Sequence, residues 1–594
     1  MVRIFAITLA LLTVALTACG SGGTSIHSSL AKEQAGTYRN PLRITVPGGT
    51  LMESCPDPSV IRGQLPGDNN FYLYCTAERF TDRAALHWMA TSKSQDLVNW
   101  TYVGDVFSSK PSFVASDGYL WAPDIEFFNG KYYLYYSVSD TQAGGAAIFV
   151  ATSDTPTGPW DASSTPVVEP EPVPGRGMRS TIDPAIVTDG DQRYIFYGSF
   201  NGGISARALS SDGLTSNRAS QVQIALPDRY EAAYVIKRND YFYLFVSAGA
   251  CCEGPLSGYG VFVARSPNAL GPYIDKDGNS LLESRIGGTP VVGMNGNRWI
   301  GPGHNAVITD SAGTDWMIYH AIDAGKPYFA GSWTRRPAMI DRLDWVDDWP
   351  VVRNGAGPSD SEQTAPITGM TTSPTATAPS LPIPIDSPGP IITSLSDDFD
   401  GNSLSPQWEW IRQPSPSTFA VADGVLRFDS EAGDIFAGQH SASLLTEPAP
   451  VGDFMVEVKL SNNVPIDGQL NFVQGGVLIY KDDSNYVKLV TVAINGTRQI
   501  EFAKQYPLAG NPRYGSTFLA SPADTTYLRI VRHTISGTSQ ELYTAYSSHD
   551  GVNWERGGTW THSLGTGARI GLVSMGRAGF SNYFDYVRVY DLLN

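Results

Sequence analysis

The sequence predicts an all-β chain, a five-bladed β-propeller followed by a β-sandwich, on three observations. An acidic or histidine residue, a short apolar run, a turn and an aromatic strand recur as one pattern five times before residue 354. A Pro/Ser/Thr-rich stretch nearly free of aromatics follows. Beyond it, short alternating strands with Asn/Asp/Gly turns run to the end without helical periodicity.

The repeated pattern is clearest in residues 180–200, STIDPAIVTDGDQRYIFYGSF. The residue before a proline is pushed into extended backbone, and proline is tolerated at the first position of a strand. Asp183 therefore belongs at the mouth of a strand running through Ala185 to Val187. Asp189, Gly190 and Asp191 make the turn, and Arg193 to Ser199 return as an aromatic strand. Upstream, the same pattern reads CPDPSVIRG with NNFYLYCTA around Asp57, and WAPDIEFFNGKYYLYYSVSD around Asp124. Downstream it reads YEAAYVIKRNDYFYLFVSAG around Glu231, and GHNAVITDSAGTDWMIYHAID around His304 and Asn305. The steps from Asp57 to Asp124, Asp183, Glu231 and His304 are 67, 59, 48 and 73 residues, the range of one blade plus variable loops. Innermost strands line a propeller's channel, so these five anchors are expected to face one another across one small cavity. Four carboxylates crowded together repel, and their pKa values are expected to split, some groups staying ionised and some holding a proton near neutrality.

In chain order, residues 1–18 carry Arg3, an apolar run from Ile4 to Leu16 and small residues before Cys19. The run is too short to span a membrane and reads as an export signal. Leu16-Thr17-Ala18-Cys19 followed by Gly20 resembles the lipobox of bacterial lipoproteins, which implies cleavage before Cys19 and lipid on its sulfur; the alternative is an ordinary signal peptide. Residues 19–40 read as a flexible tether. The expected location is therefore outside the cytoplasm of a bacterium, at the cell surface or anchored to a membrane through the lipid alone. A monomer is expected.

Composition fits an exported, carbohydrate-handling β protein: 594 residues, 11% aromatic and only 17% charged. The net charge of -17 argues against nucleic acid, which needs a basic stripe to release counterions. Of five cysteines, Cys55 and Cys75 fall on neighbouring strands of the first blade, where a bridge is compatible with an oxidising compartment. Cys251 and Cys252 are adjacent, and either a vicinal disulfide or two half-buried thiols satisfies the pattern. No histidine stands at a spacing that would make either site a cysteine nucleophile.

Residues 41 to about 354 resemble glycoside hydrolase family 43, the five-bladed propeller hydrolases, and within it the endo-1,5-α-L-arabinanase branch. The matching segments are PDPSV, LWAPDIEFFNGKYYLYYSVS, IDPAI, EAAYVIKRNDYFYLFVSAGACCEG, and GPGHNAV with YHAID. CCEG after the fourth-blade strand points to arabinanases and away from the family's β-xylosidases. The resemblance implies that Asp57 is the general base activating water and Glu231 the general acid. Asp183 would raise the acid's pKa and hold it in place. Inverting hydrolysis asks for carboxyls roughly 6.5 to 9.5 Å apart with room for a water, which residues on different blades across a channel mouth provide. Asp before Pro is also a common turn cap, so any one copy taken alone has a structural reading.

Asp124 is not among the catalytic three of the family and is read as a substrate or network residue, or a structural one. Trp121 offers either a face to a sugar ring or packing between blades. The resemblance also implies that His304 reaches into the channel near calcium or another hydrated cation. Calcium prefers six to eight oxygens, so water would supply most of them; the alternative is a histidine that only hydrogen-bonds the neighbours of Asp57. The implied substrate is arabinan, the side chain of pectin. The alternatives are an exo-acting α-L-arabinofuranosidase or β-xylosidase, and a non-catalytic carbohydrate-binding propeller.

Residues 355–394 read as a semi-rigid linker. Residues 395–594 then supply FMVEVKL, GGVLIYKDD, YVKLVTVAI, YLRIVRH, LYTAYSS, ARIGLVSM and FDYVRVYDL, the strands of a β-sandwich. SDDFDGNSLSPQWEW, GGVLIYKDDSNYVKL and NYFDYVRVY resemble the concanavalin-like C-terminal domain of many family 43 enzymes. Either sugar binding or bracing of the propeller would suit it. Asp397, Asp398 and Asp400 form either a structural calcium site or a solvated turn.

Overall fold

Five antiparallel meanders of four strands, the first extended by Arg43–Thr45 in parallel pairing with Asn99–Phe107 and by Glu78–Arg79, surround one channel in the computed structural model, which describes residues 36–82, 84–330, 333–369, 385–466, 470–508 and 511–593. The expected signal peptide, Cys19 and the tether up to residue 35 lie outside the described residues. The innermost strands are Ser59–Arg62, Leu120–Phe128, Ala185–Asp189, Glu231–Arg238 and Trp299–Thr309, defining blades I to V. Each pairs with an apolar second strand: Phe71–Tyr74, Lys131–Val138, Gln192–Tyr197, Tyr241–Ala248 and Asp315–Asp323. Those second strands are buried on both faces, which explains their nearly unbroken aromatic and aliphatic sequence. The hairpin of blade II turns on Asn129 and Gly130, both at positive φ (50° and 74°), which the tight two-residue connection requires.

One residue at the head of each blade has left-handed backbone: Asp57 (φ 51°), Ala122 (47°), Asp183 (59°), Ala232 (53°) and His304 (49°). These are the true structural equivalents, which corrects the expectation that all five anchors share one position. Asp124 follows the left-handed residue by two places and Glu231 precedes it by one. Register shifts at the heads of blades II, IV and V move the frame, and the X-Pro signal alone does not reveal them.

Hydrogen bonds around the channel tie each blade to the next. The backbone N–H of Ile125 donates to Ser59 Oγ (3.1 Å), that of Ile186 to Asp124 Oδ2 (2.8 Å), that of Ala232 to Asp183 Oδ2 (2.9 Å) and that of His304 to Ser247 Oγ (3.0 Å). The Asp57 N–H donates to His320 Nδ1 (3.2 Å) and closes the ring from blade V to blade I. Side chains of the neighbouring blade thus take up the backbone donors at the blade heads.

Two boundaries differ from the sequence expectation. Thr37–Tyr38, expected in the tether, pairs with Gln363–Thr364, expected in the linker. The segment after residue 355 docks on the propeller: Asn295 Nδ2 donates to the Ala356 and Pro358 carbonyls, and the Ile367 N–H donates to Asp310 Oδ2 (3.0 Å). A polar, proline-containing segment needs no core of its own when side chains satisfy its backbone.

The C-terminal unit is a sandwich of two antiparallel sheets, one carrying Phe454–Asn462 and Ser581–Leu592, the other Gln474–Asp482 and Thr497–Leu508. Their inner faces meet in a core that includes Phe454, Val456, Val477, Ile479, Leu489 and Leu572. Met294, Ile300 and Ile322 of the propeller join that core, so the two domains share apolar interior. Around this patch the backbones of Ile286 and Arg498 bond (3.0 Å), and Ser521 Oγ donates to Asp275 (3.1 Å). Asp397 accepts from the Phe399 N–H and Trp408 Nε1, and Asp398 pairs with Arg588, which gives the first two acids of the 397–400 turn capping and pairing roles. Both cysteine pairs, Cys55–Cys75 and Cys251–Cys252, are disulfides.

Candidate active site

Asp57, Asp183, Glu231 and His304 come together at the channel mouth, each carried by the left-handed turn at the head of its blade or by the residue beside it. Asp57, between Pro56 and Pro58, is the most heavily engaged. Its Oδ1 accepts from Arg336 Nη1 (2.8 Å) and its Oδ2 from Thr76 Oγ1 (2.6 Å); His304 Nδ1 stands 3.4 Å from Oδ1. Burial by itself would push this carboxyl up. The Arg336 guanidinium is the largest opponent of burial, and with His304 adding, the opposing contacts together hold Asp57 well below the usual carboxylate range. Asp57 is therefore an anion at any pH near neutrality.

His320 is fully buried, and burial pushes its pKa down to about 4. It is a neutral imidazole whose Nδ1 accepts from Asp57 N–H, which places its proton on Nε2. Burial lowers His304 as well.

Glu231 receives two hydroxyls, Tyr259 Oη at 2.7 Å on Oε1 and Ser199 Oγ at 2.8 Å on Oε2. Both favour its ionised form, yet burial, with the Asp57 charge adding, leaves the net direction upward. Asp183 is raised well above its ordinary value by burial first, then by Glu231 and Asp57. Burial therefore biases Asp183 and Glu231 toward holding a proton, and the Arg336 contact biases Asp57 against it. The sequence expectation attributed the rise at Glu231 to Asp183; burial is the leading cause.

Asp124 sits deeper, bracing blade III through Ile186. Burial pushes it up to about 7, beside the raised Glu126. Trp121 lies at the rim, 36% exposed. Trp333 is 47% exposed; its Nε1 donates to Glu78 Oε2 (3.0 Å), and its ring is 5.9 Å from that of Tyr119, two residues before Trp121. Phe200, beside Ser199, is 36% exposed.

Arg336, Thr76, Ser199, Tyr259 and Trp333 escaped the reading of the sequence. Each lies outside the repeated anchor, on a second strand or a loop, and a lone Tyr or Arg in such a place carries no spacing signal. His320 was visible in YHAID, but nothing in the sequence separated its role from that of His304.

Among the described residues no three or more His, Cys, Asp and Glu side chains converge as a direct metal cage. Both amide atoms of Asn305 and the Nε2 of His320 are buried without a hydrogen-bond partner. Such orphaned groups suit ordered water, and a cation held through water, better than direct coordination.

The arrangement offers an ionised carboxylate and a proton-holding carboxyl pair at one aromatic-rimmed opening. Residues 49–350 match the model of glycosyl hydrolases family 43, and residues 396–590 match that of the β-xylosidase C-terminal concanavalin A-like domain. The extracellular exo-α-(1→5)-L-arabinofuranosidase ArbA of Cellvibrio japonicus is 34% identical over 286 residues, covering 44% of this chain and 78% of that protein. The extracellular endo-α-(1→5)-L-arabinanase 1 of Bacillus subtilis is 32% identical over 278 residues, covering 43% and 78%. Among solved structures, Cellvibrio cellulosa α-L-arabinanase complexed with arabinohexaose is 31% identical, covers 50% of this chain and 95% of its own, and superposes with a TM-score of 0.43.

Proposed function

The chain belongs to glycosyl hydrolase family 43, and from that premise we propose that it cleaves α-1,5-linked L-arabinan by a single displacement with inversion. Asp57 takes a proton from water as the water attacks the anomeric carbon. Glu231 delivers a proton to the departing glycosidic oxygen. Asp183 shares the proton economy of Glu231 and fixes the backbone beside it through the Ala232 N–H. Trp121 and Trp333 offer ring faces to sugars, and Asp124 serves the site from below by holding blade III in register.

One arrangement carries this reading: at one opening Asp57 is paired with Arg336, while Asp183 and Glu231, with no paired cation among the described residues, are biased by burial toward holding a proton. A binding propeller has no use for such an opposition. Glu231→Gln tests it. Turnover of linear arabinan should fall by on the order of 10²–10⁴-fold while oligosaccharide affinity persists; unchanged turnover would remove Glu231 from the reaction.

Endo action is the first reading of the mode. Exo action is the second reading: Trp333, on the loop between the second and third strands of blade V, reaches Glu78 and Tyr119 of blades I and II, a contact that would wall one end of a cleft. Debranched linear arabinan separates them: a spread of oligosaccharides means endo, a single small product exo.

We also infer export, supported by the extracellular names of the two relatives and the leader-like residues 1–18, with lipid on Cys19 as the anchor. Calcium or another hydrated cation would be held through water by His304, Asn305 and His320. When bound it would supply positive potential to the site. The catalytic proton transfers remain with the carboxyls.

A further inference from the structure

The strand Asn511–Phe518 of the sandwich runs behind the loop that carries Tyr259, and it meets that loop backbone to backbone. A Cβ on Gly258 would lie 1.7 Å from the Ser516 carbonyl oxygen, and a Cβ on Gly515 would lie 2.4 Å from that of Leu256. Only glycine permits either approach. Arg513 adds an ion pair to Glu253 in the same loop (3.7 Å), and the Glu253 carbonyl accepts from Tyr328 Oη (3.3 Å). The residue after Gly258 is Tyr259, which donates to Glu231.

The same strand reaches the other flank of Glu231. The Phe518 ring covers the guanidinium of Arg229 at 4.2 Å, with Phe262 at 5.1 Å and Tyr230 at 5.4 Å. Among the described residues Arg229, 1% exposed, has no carboxylate partner; its Nε and Nη1 lack hydrogen-bond partners there, and its Nη2 reaches the Gly287 carbonyl at 3.5 Å. A buried cation without an anion is held chiefly by the rings around it. Arg229 and Tyr230 lead directly into Glu231 in the sequence. The sandwich therefore touches both approaches to one carboxyl.

We propose that the sandwich domain is a positioning element for the general acid, acting through Phe518 on Arg229 and through the Gly515–Ser516 backbone on the Tyr259 loop. The proposal rests on the reading of Glu231 as that acid. Phe518 acts through Arg229.

The leaving group separates positioning from general damage. Departure of a sugar alkoxide needs a well-placed proton donor, whereas 2,4-dinitrophenolate leaves without one. In the full-length protein, Phe518→Ala should lower kcat on arabino-oligosaccharides about ten-fold or more. KM, and hydrolysis of a 2,4-dinitrophenyl α-L-arabino-oligoside, should stay within about two-fold, since neither needs the acid in place. Phe518→Tyr, which keeps the ring face, should restore kcat. Ser516→Ala should be silent because the contact there is backbone. If Phe518→Ala does not fold, Phe518→Leu, which keeps apolar volume and removes the ring, takes the same measurements. Equal loss on both substrates, or no loss on either, overturns the proposal. Glu231→Gln on the same pair distinguishes the underlying reading: selective loss on the oligosaccharide upholds Glu231 as the acid, and equal loss removes that assignment and the positioning role with it.

Discussion

The electrostatics of the mouth are set by single residues, and two substitutions should move opposite limbs of the pH–rate profile. Arg336 is the largest opponent of burial at Asp57. Arg336→Gln should raise the folded pKa of Asp57, so that the base is ionised only at higher pH, and the acid limb of kcat/KM should move upward. The loss of kcat/KM should be on the order of 10²-fold. Tyr259 donates to the ionised form of Glu231 and so lowers its pKa. Tyr259→Phe should let Glu231 hold its proton to higher pH, shifting the alkaline limb upward while kcat falls. A kcat/KM profile between pH 4 and 10 checks both; an unmoved acid limb in Arg336→Gln would contradict the assignment of Asp57. Before substitution, the raised Asp183–Glu231 pair should place the alkaline limb above the ordinary carboxylate range.

At the scale of the element, the blade head is the unit that makes the site: a left-handed residue, in blades II, IV and V a register shift beside it, and a neighbouring side chain that bonds one blade's N–H to the next. Ala122 and Ala232 occupy that backbone without the polar side chain that eases it elsewhere. Ala122→Val should lower stability by at least about 1–2 kcal/mol in thermal or denaturant unfolding, since a β-branched residue resists positive φ and the site is buried. Much of this element was legible in the sequence. The five anchors, their order and their blade strands followed from the repeated acid or histidine, apolar run, turn and aromatic strand. The register was not, because the bulges that put Ala122 rather than Asp124, and Ala232 rather than Glu231, at the left-handed position leave no compositional trace. Arg336 and Tyr259 were hidden for a related reason. They reach the mouth from loops whose course depends on tertiary packing, as the contact of Gly258 with Ser516 shows.

The whole molecule is two domains sharing interior, and no pattern within either half of the sequence announces the seam. Met294, Ile300 and Ile322 read as ordinary blade residues, yet they pack into the sandwich core. Separating the domains should uncover them at about 1.5–3 kcal/mol each, and should strip the ring cover from Arg229. A chain ending near residue 369 is therefore expected to melt at lower temperature than the full-length protein or to aggregate, whereas the full-length protein should unfold in one calorimetric transition. Two well-separated transitions, with an unchanged propeller midpoint, would show that the shared patch contributes little. All of this serves the placement of an ionised Asp57 and a proton-bearing Glu231 around one opening, with a water on one face of the sugar and the acid on the other. The anomeric configuration of freshly released product, read by proton NMR before mutarotation, tests that most directly. The account predicts the inverted β-L-arabinofuranosyl end first, and first appearance of the retained α form would contradict it.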